Sequence, residues 1–333
     1  MRKHLGLVLV VVAAAASEGY HVIDKIHIGG PGGWDYVTMD SSARRLYVSN
    51  STRVVVVDVE SGSVVGEIPD TQGVHGISLA PELNRGFTSN GRSNNATIFD
   101  LKTLKALGQV KTGQNPDAIL YEATSGRVFT FNGRSKDSTA FDAKTGEVAA
   151  TIPMGGKPEF AVADGKGRIY VNVEDTSELV EIDARKMAVT RRSSLSPCEE
   201  PSGLAMDVKR RRLFSVCRNK LMAVTDADSG KILGTPAIGQ GTDGAGFDPA
   251  TGIAFSSNGE GTLTLVKEVA GKYEAVESVA TERGARTMAV DWKTHRVYLP
   301  AAEYGPTPAP TEQQKRPRPP VAPDSFHILV LGK

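Results

Sequence analysis

One stretch of the chain carries the pattern from which its architecture follows: Arg45-Leu46-Tyr47-Val48-Ser49-Asn50-Ser51-Thr52-Arg53-Val54-Val55-Val56-Val57-Asp58-Val59-Glu60-Ser61-Gly62. A basic, an apolar and an aromatic residue are followed by a β-branched run and then by a tight turn, in which Gly62 supplies a positive φ. Short β-branched runs separated by turn residues are typical of antiparallel strands. With the apolar runs on either side, the unit from Tyr36 to Ile68 predicts four short strands.

The same pattern recurs along the whole chain. The basic-apolar-aromatic motif begins at Arg45, Arg85, Arg127, Arg168, Arg212 and Arg296, with a degenerate copy at Gly252-Ile253-Ala254, and successive copies are 40 to 44 residues apart. An Asp-x-x-Ser/Thr-Gly turn runs in phase and is complete at Asp58, Asp142 and Asp226. Its aspartate is a candidate partner for the repeated arginine. Seven such units without helical periodicity predict an all-β, seven-bladed β-propeller over residues 17–333.

The two ends of the chain predict how the ring closes. The last unit ends with Phe326–Leu331, which supplies only a third strand, whereas His21–Ile28 is an unassigned apolar-polar run near the other end. Pairing these segments would hide two sheet edges that otherwise invite aggregation. We therefore expect the N-terminal strand to complete the last blade.

Residues 1–16 have the basic, apolar and small-residue regions of a secretory signal peptide. A membrane anchor is the alternative, but the apolar run is shorter than a spanning helix requires, so we expect no membrane span. The sequence thus predicts a bacterial protein that is periplasmic or secreted. The near balance of 39 basic against 38 acidic residues argues against nucleic acid as a partner.

Tyr47-Val48-Ser49-Asn50, followed by Val54–Asp58, resembles the YVTN-repeat β-propeller family, and Tyr170-Val171-Asn172 is a looser copy. That family is similar to surface-layer proteins and to the propellers of bacterial amine dehydrogenases and nitrous-oxide reductases. The resemblance implies the fold over nearly all of residues 20–333, and a structural role at the cell surface is one function it suggests. The sixth unit departs from the pattern because it lacks the aromatic residue and the Asp turn.

Alignment of the units predicts one residue per blade at the mouth of the central channel: Asp35, His75, Asp117, Glu159, Ser202, Asp243 and Arg286. Convergent polar groups at a channel mouth are a candidate ligand site, and an inert wet channel is the alternative. Trp34 follows a glycine-rich loop, where it could stack on a ligand or pack on a neighbouring blade.

Two further features are expected on the same face. Cys198 and Cys217 belong to one unit and predict a disulfide, with two free thiols as the alternative. Residues 300–323 contain 8 of the 18 prolines and form an insertion in the last unit. Such a segment is either a lid or partner-docking strap, or a disordered insertion.

The leading functional hypothesis is an exported, monomeric, non-catalytic propeller that binds a small molecule or a protein at its mouth face. Its ligand-binding residues are Trp34, Asp35, His75, Asp117, Glu159, Asp243 and Arg286. This hypothesis assigns no catalytic residue, no metal and no cofactor, although an enzyme is not excluded. The alternative is a lactonase-like, metal-dependent hydrolase, in which the four carboxylates hold a divalent cation such as calcium and His75 is a general base.

Overall fold

The computed structural model describes residues 19–30, 33–309, 311 and 319–333. The predicted signal peptide, residues 1–16, lies outside the described residues, as do residues 310 and 312–318 of the proline-rich segment. The described residues form seven four-stranded antiparallel sheets and one short 3-10 helix, Pro81–Leu83. Within this part of the chain, no helix has the length and apolar character needed to cross a membrane.

Six sheets are built from consecutive strands, running from the channel outward. Blade 1 contains β2 (Trp34–Asp40), β3 (Arg45–Asn50), β4 (Arg53–Asp58) and β5 (Ser63–Ile68). Blade 2 contains β6 (Val74–Ala80), β7 (Arg85–Asn90), β8 (Asn95–Asp100) and β9 (Ala106–Lys111). Blade 3 contains β10 (Pro116–Glu122), β11 (Arg127–Asn132), β12 (Asp137–Asp142) and β13 (Val148–Pro153).

The next three blades repeat this arrangement. Blade 4 contains β14 (Pro158–Ala163), β15 (Arg168–Val173), β16 (Glu178–Asp183) and β17 (Ala188–Ser194). Blade 5 contains β18 (Pro201–Asp207), β19 (Arg212–Cys217), β20 (Leu221–Asp226) and β21 (Ile232–Gly234). Blade 6 contains β22 (Thr242–Asp248), β23 (Ile253–Asn258), β24 (Thr262–Val269) and β25 (Lys272–Ala280), so the degenerate sixth unit still forms a complete blade.

Blade 7 joins the two ends of the chain. Its inner strands are β26 (Ala289–Asp291), β27 (Arg296–Ala301) and β28 (His327–Gly332), and its outer strand is the N-terminal β1 (His21–His27), antiparallel to β28. The innermost strands of the seven blades contact one another in a closed ring: β2, β6, β10, β14, β18, β22 and β26. The predicted seven-bladed β-propeller and its closure by the N-terminal strand are confirmed.

The hydrophobic core lies between the blades. Seven clusters of buried apolar side chains occur, one at each blade-to-blade interface. The aromatic residue of the repeated motif lies in these clusters and is at most 3% exposed: Tyr47, Phe87, Phe129, Tyr170, Phe214 and Tyr298. Burying one such side chain contributes about 2 kcal/mol, so the motif holds neighbouring blades together.

The aspartate of the repeated turn caps its own hairpin. In blade 1, Asp58 Oδ1 accepts hydrogen bonds from the backbone N–H groups of Glu60 (3.1 Å) and Ser61 (2.8 Å). These hydrogen bonds hold the pKa of the Asp58 carboxyl below its ordinary value. The motif therefore stabilises the turn between the third and fourth strands of the blade.

The repeated arginine pairs with that aspartate in two blades. Arg168 lies 3.1 Å from Asp183, and Arg212 lies 2.6 Å from Asp226. In blade 1, Arg45 instead donates to the carbonyl of Leu101 in the next blade's turn (2.9 Å). The arginine is thus structural, as the sequence suggests, and in blade 1 it links two blades.

Candidate functional site

The predicted mouth residues occupy equivalent places on the inner strands. Six of them are the second residue of their strand, and Arg286 lies three residues before β26: Asp35, His75, Asp117, Glu159, Ser202, Asp243 and Arg286. We call this set the mouth ring. In each of the six blades, the pairing register with the second strand shifts just beyond this point. Such a bulge changes the direction in which a side chain points, relative to the regular alternation between the two faces of the sheet.

Polar side chains of neighbouring blades hold the backbone of the mouth ring. The Ser89 hydroxyl donates to the carbonyl of Asp117, and the Thr287 hydroxyl donates to that of Asp35 (2.6 Å). The Ser257 hydroxyl donates to the carbonyl of Arg286 (2.5 Å). Sequence reasoning missed these supports, although serine recurs just before the last residue of the second strand at Ser49, Ser89 and Ser257.

His75 connects two carboxylates of the mouth ring. Its Nδ1 lies 2.5 Å from Asp35 Oδ2 and 3.8 Å from Asp117 Oδ1. Burial lowers the pKa of His75, but the hydrogen bond to Asp35 and the charges of Asp117, Asp35 and Glu159 outweigh it and raise that pKa to about 9. His75 is therefore an imidazolium at neutral pH.

Arg286 closes the ring beside Asp243. Its Nε lies 2.8 Å from Asp243 Oδ2, and its Nη2 lies 3.9 Å from Asp35 Oδ1. Burial raises the pKa of Asp243 to about 6, although the Arg286 charge acts in the opposite direction. Asp243 therefore ionises only near neutral pH.

Glu159 has a partner that the sequence did not suggest. Lys157 Nζ lies 3.1 Å from Glu159 Oε2 and also contacts Glu174. Burial still raises the pKa of Glu159 to about 7, against the charge of Lys157. Lys157 was missed because it precedes its strand and falls outside the aligned mouth position.

Asp117 has a carboxylate oxygen whose hydrogen-bonding capacity is not used. Its Oδ1 is buried and accepts no hydrogen bond from any described residue. Burial, followed by the charge of Glu159, raises the pKa of Asp117 well above its ordinary value. Its ion pair with His75 is long, at 3.8 Å, so this buried carboxyl group costs stability and would favour a bound cationic group.

Two aromatic side chains lie beneath the mouth ring. The rings of Tyr36 and Phe160 meet edge to face with their centroids 5.1 Å apart. Burial and the charges of the surrounding carboxylates, Asp117 first among them, raise the pKa of Tyr36 far above its ordinary value. Phe160 also lines the cavity at the opposite end of the channel, so we infer that the pair lies between the two ends. Sequence reasoning missed both residues.

Asp35, His75 and Asp117 also satisfy the spacing of a metal site. One ligand atom from each can be chosen so that all three lie within 4.8 Å of one another. One nitrogen and two carboxylate oxygens suit Zn²⁺ or Mn²⁺ better than Ca²⁺, which takes six to eight oxygen ligands. Glu159 and Asp243 are instead engaged by Lys157 and Arg286.

The remaining predicted residues lie at the same end of the channel but outside this cluster. The hydroxyl of Ser202 donates to the carbonyl of Thr242 (3.2 Å) and forms no contact with the acidic side chains. Trp34 stacks on Phe326 with the ring centroids 5.0 Å apart, so it packs on blade 7. Cys198 and Cys217 are joined as a disulfide with their Cα atoms 5.7 Å apart.

The opposite end of the channel holds a cavity of about 580 Å³. Its apolar side chains come from six blades, and Phe160 lies among them: Met39, Leu79, Leu120, Val162, Met206 and Trp292. We call this cavity the apolar bowl. Trp292 is 52% exposed there. The bowl was not predicted from the sequence, because the repeated units were aligned only at their mouth positions.

Comparison with known proteins supports the class of fold. No protein-family model matches the chain, and no curated protein matches it. Among solved structures, it is similar to the hydrazine synthase of Kuenenia stuttgartiensis, with a TM-score of 0.70 and 15% identity over 82% of this chain and 94% of that chain. This likeness shows the propeller fold alone. The YVTN-repeat resemblance stays a sequence-based prediction.

Proposed function

We propose that the protein is a non-catalytic binding protein that takes a small, positively charged ligand at the mouth of its channel. The observation that carries this proposal is the buried Oδ1 of Asp117, which lacks a hydrogen-bond donor. A buried carboxylate oxygen that accepts no hydrogen bond is costly unless a cation completes its surroundings. An ammonium group is one such cation, and it would donate hydrogen bonds as well as charge.

The charges around Asp117 support this ligand class. Asp35, Glu159 and Asp243 lie close enough to influence its ionisation, and all three are less than a quarter exposed. Their ion-pair partners are His75, Lys157 and Arg286. Asp117 Oδ1 accepts no hydrogen bond from these groups, so it is the oxygen that we expect a cationic ligand to contact.

The protonation of His75 argues for binding and against hydrolysis. A general base must be unprotonated before it accepts a proton. His75 has a pKa of about 9 and its Nδ1 is engaged by Asp35. At neutral pH it is therefore poorly suited to the role that a lactonase-like mechanism would require.

A divalent cation is the second candidate ligand, because one observation favours it. Asp35, His75 and Asp117 offer ligand atoms at metal-binding spacing, and they would hold the ion. A bound ion would supply Lewis acidity for a hydrolase. His75 would first have to lose its proton, so binding would weaken as the pH falls.

We also propose that the protein is exported and monomeric. The basic-apolar-small pattern of residues 1–16 supports export to the bacterial periplasm or beyond. A propeller that closes within one chain needs no second copy to complete its sheets, which supports a monomer. A protein could present the same cationic group as a lysine side chain, so a protein partner remains within the proposal.

Calorimetric titration of the purified protein tests the ligand class. The probes are ethylamine, putrescine and choline, with Mn²⁺, Zn²⁺ and Ca²⁺ titrated separately. We expect saturable binding of an amine that is lost in the triple variant Asp35→Asn, Asp117→Asn and Asp243→Asn. Asp70→Asn, an exposed acid in the left-handed region that asparagine tolerates, is the matched control.

The outcomes separate the two candidates. Binding of Mn²⁺ or Zn²⁺ without any amine would favour the metal site. Absence of binding for every probe, or unchanged amine binding in the triple variant, would overturn the proposal.

A further inference from the structure

A second cavity opens on the mouth face, where blades 6, 7 and 1 meet. Its volume is about 370 Å³, which lies within the range of small-molecule sites. Trp34, Tyr304, Arg283 and Arg286 contribute to its lining. It therefore borders the mouth ring through Arg286 but is formed mostly by other residues.

The two aromatic side chains that line this cavity, Trp34 and Tyr304, are held in place by contacts with neighbouring residues. Trp34 stacks on Phe326, and its ring centroid lies 6.4 Å from that of Tyr304 at an angle of 48°. Tyr304 forms a β-bridge with Val321, and the N–H of Gly305 donates to the carbonyl of Pro320 (2.8 Å). The described base of the proline-rich insertion is thus a short ribbon that fixes one side of the cavity.

A glycine allows the cavity wall to form. Gly284 has a φ of +90°, and a Cβ at this position would lie 2.4 Å from the Tyr304 hydroxyl. A larger residue would therefore be strained and would displace Tyr304. The position of the Tyr304 side chain in the cavity wall therefore requires a glycine at position 284.

The charge of the lining has one sign. Among the lining residues that the structure describes, two carry a guanidinium group, Arg283 and Arg286, and none carries a carboxylate. Among the described residues, Arg283 has no ion-pair or hydrogen-bond partner for its side chain. Arg286 uses Nε for Asp243 and is 45% exposed, so further N–H donors of its guanidinium remain for a ligand.

We propose that this cavity binds a small planar aromatic carboxylate. Arg283 and Arg286 would bind the carboxylate, because the guanidinium fork matches its two oxygens. The aromatic ring of the ligand would lie against Trp34 and Tyr304. The proposal rests on the lining of this cavity and does not require the mouth ring to bind a cation.

Tryptophan fluorescence offers a direct test because the chain has only two tryptophans, Trp34 and Trp292. In a Trp292→Phe background, Trp34 is the sole emitter, and Trp292 lies in the apolar bowl at the other end of the channel. Sodium benzoate is the probe. Benzyl alcohol, which lacks the charge, and sodium acetate, which lacks the ring, are the matched controls.

We expect a saturable change in Trp34 emission with benzoate and much weaker changes with both controls. Arg283→Ala should weaken benzoate binding about 10-fold, the loss expected for one charge-assisted hydrogen bond. Arg283→Lys should lie between wild type and Arg283→Ala because lysine keeps the charge but loses the fork. Thermal unfolding of each variant checks that this exposed substitution leaves the fold intact.

Three results would overturn the inference: no saturable change with benzoate, equal binding of benzyl alcohol, or unchanged affinity in a folded Arg283→Ala protein. The site shares Arg286 with the mouth ring but rests on different observations. Separate titrations of the wild-type protein with benzoate and with ethylamine therefore decide the two proposals independently.

Discussion

The two ends of the channel are built largely from the same inner strands and have opposite character. At the mouth, the second residues of the inner strands bring four carboxylates together. At the other end, residues of the same strands form the apolar bowl. All blades share one backbone arrangement, so equivalent positions on the inner strands place their side chains in a ring around the channel. The residue types at one such ring do not determine those at the next, so one ring can be acidic and another apolar.

Buried acids at the two ends also differ in what they do for stability. Asp117 at the mouth lacks a donor for Oδ1. Asp164, at the bowl-side end of β14, is 3% exposed and accepts hydrogen bonds from the N–H groups of Lys166 (2.8 Å) and Arg168 (3.0 Å). We infer that Asp164 stabilises the fold and that Asp117 destabilises it, so burial alone does not define the role of an acid.

The largest expected effect tests the stabilising acid. Asp164→Ala should lower the free energy of unfolding by about 3 kcal/mol, because it removes two amide acceptors and a partner 3.1 Å from Arg211. Urea denaturation measures this change. Asp228→Ala is the matched control, since Asp228 pairs with the same arginine but is 65% exposed, and it should cost less than about 1 kcal/mol. Equal losses in the two variants would contradict the inference.

The next test removes the partition between the two ends. Phe160→Ala should cost about 2 kcal/mol of unfolding free energy, less than for a fully buried phenylalanine because Phe160 is only partly buried. It should also admit water beneath the mouth ring and lower the pKa of Glu159 from about 7 toward its ordinary value. NMR titration of the carboxyl group reports this shift, and an unchanged pKa would show that Phe160 does not shield the ring.

A smaller effect of opposite sign is expected for Asp117→Asn. The raised pKa of Asp117 means that the folded state holds its proton more tightly than the unfolded chain does. Stability is therefore lost as the pH rises above the unfolded value of about 3.8. The variant should raise the melting temperature at pH 7 to 8, by about 2 °C for each kcal/mol relieved, and should give no gain near pH 3. A lower melting temperature at pH 8 would refute the assignment.

The last test concerns the pH dependence of amine binding. Asp243 and Glu159 ionise near pH 6 and 7, and a bound cation favours their charged forms. Affinity should therefore increase between pH 5 and 8, by up to about 10-fold per pH unit for each proton released. Calorimetry in two buffers of different ionisation enthalpy measures the proton release. A flat profile would place the amine away from these carboxylates.

The repeat period was sufficient to predict the blades, the closing strand and the residues of the mouth ring. It could not supply Lys157, which contacts Glu159 from outside the aligned position. Nor could it supply Tyr36 and Phe160, because which side chain enters the channel depends on the register shift beyond each mouth residue. Ligand binding by the mouth ring depends on how deeply its carboxyl groups are buried and on the charges beside them. The spacing of residues in the sequence does not give either quantity.

Blade 7 contains both the first and the last strand of the chain, and this determines when folding can finish during synthesis. Strand β1 leaves the ribosome before every other strand, and its partner β28 follows all of them. The ring therefore cannot close during synthesis, and the first strand stays unpaired until the last has emerged. Such a delay would suit the export proposed above, because a chain that has not finished folding can pass through a narrow pore.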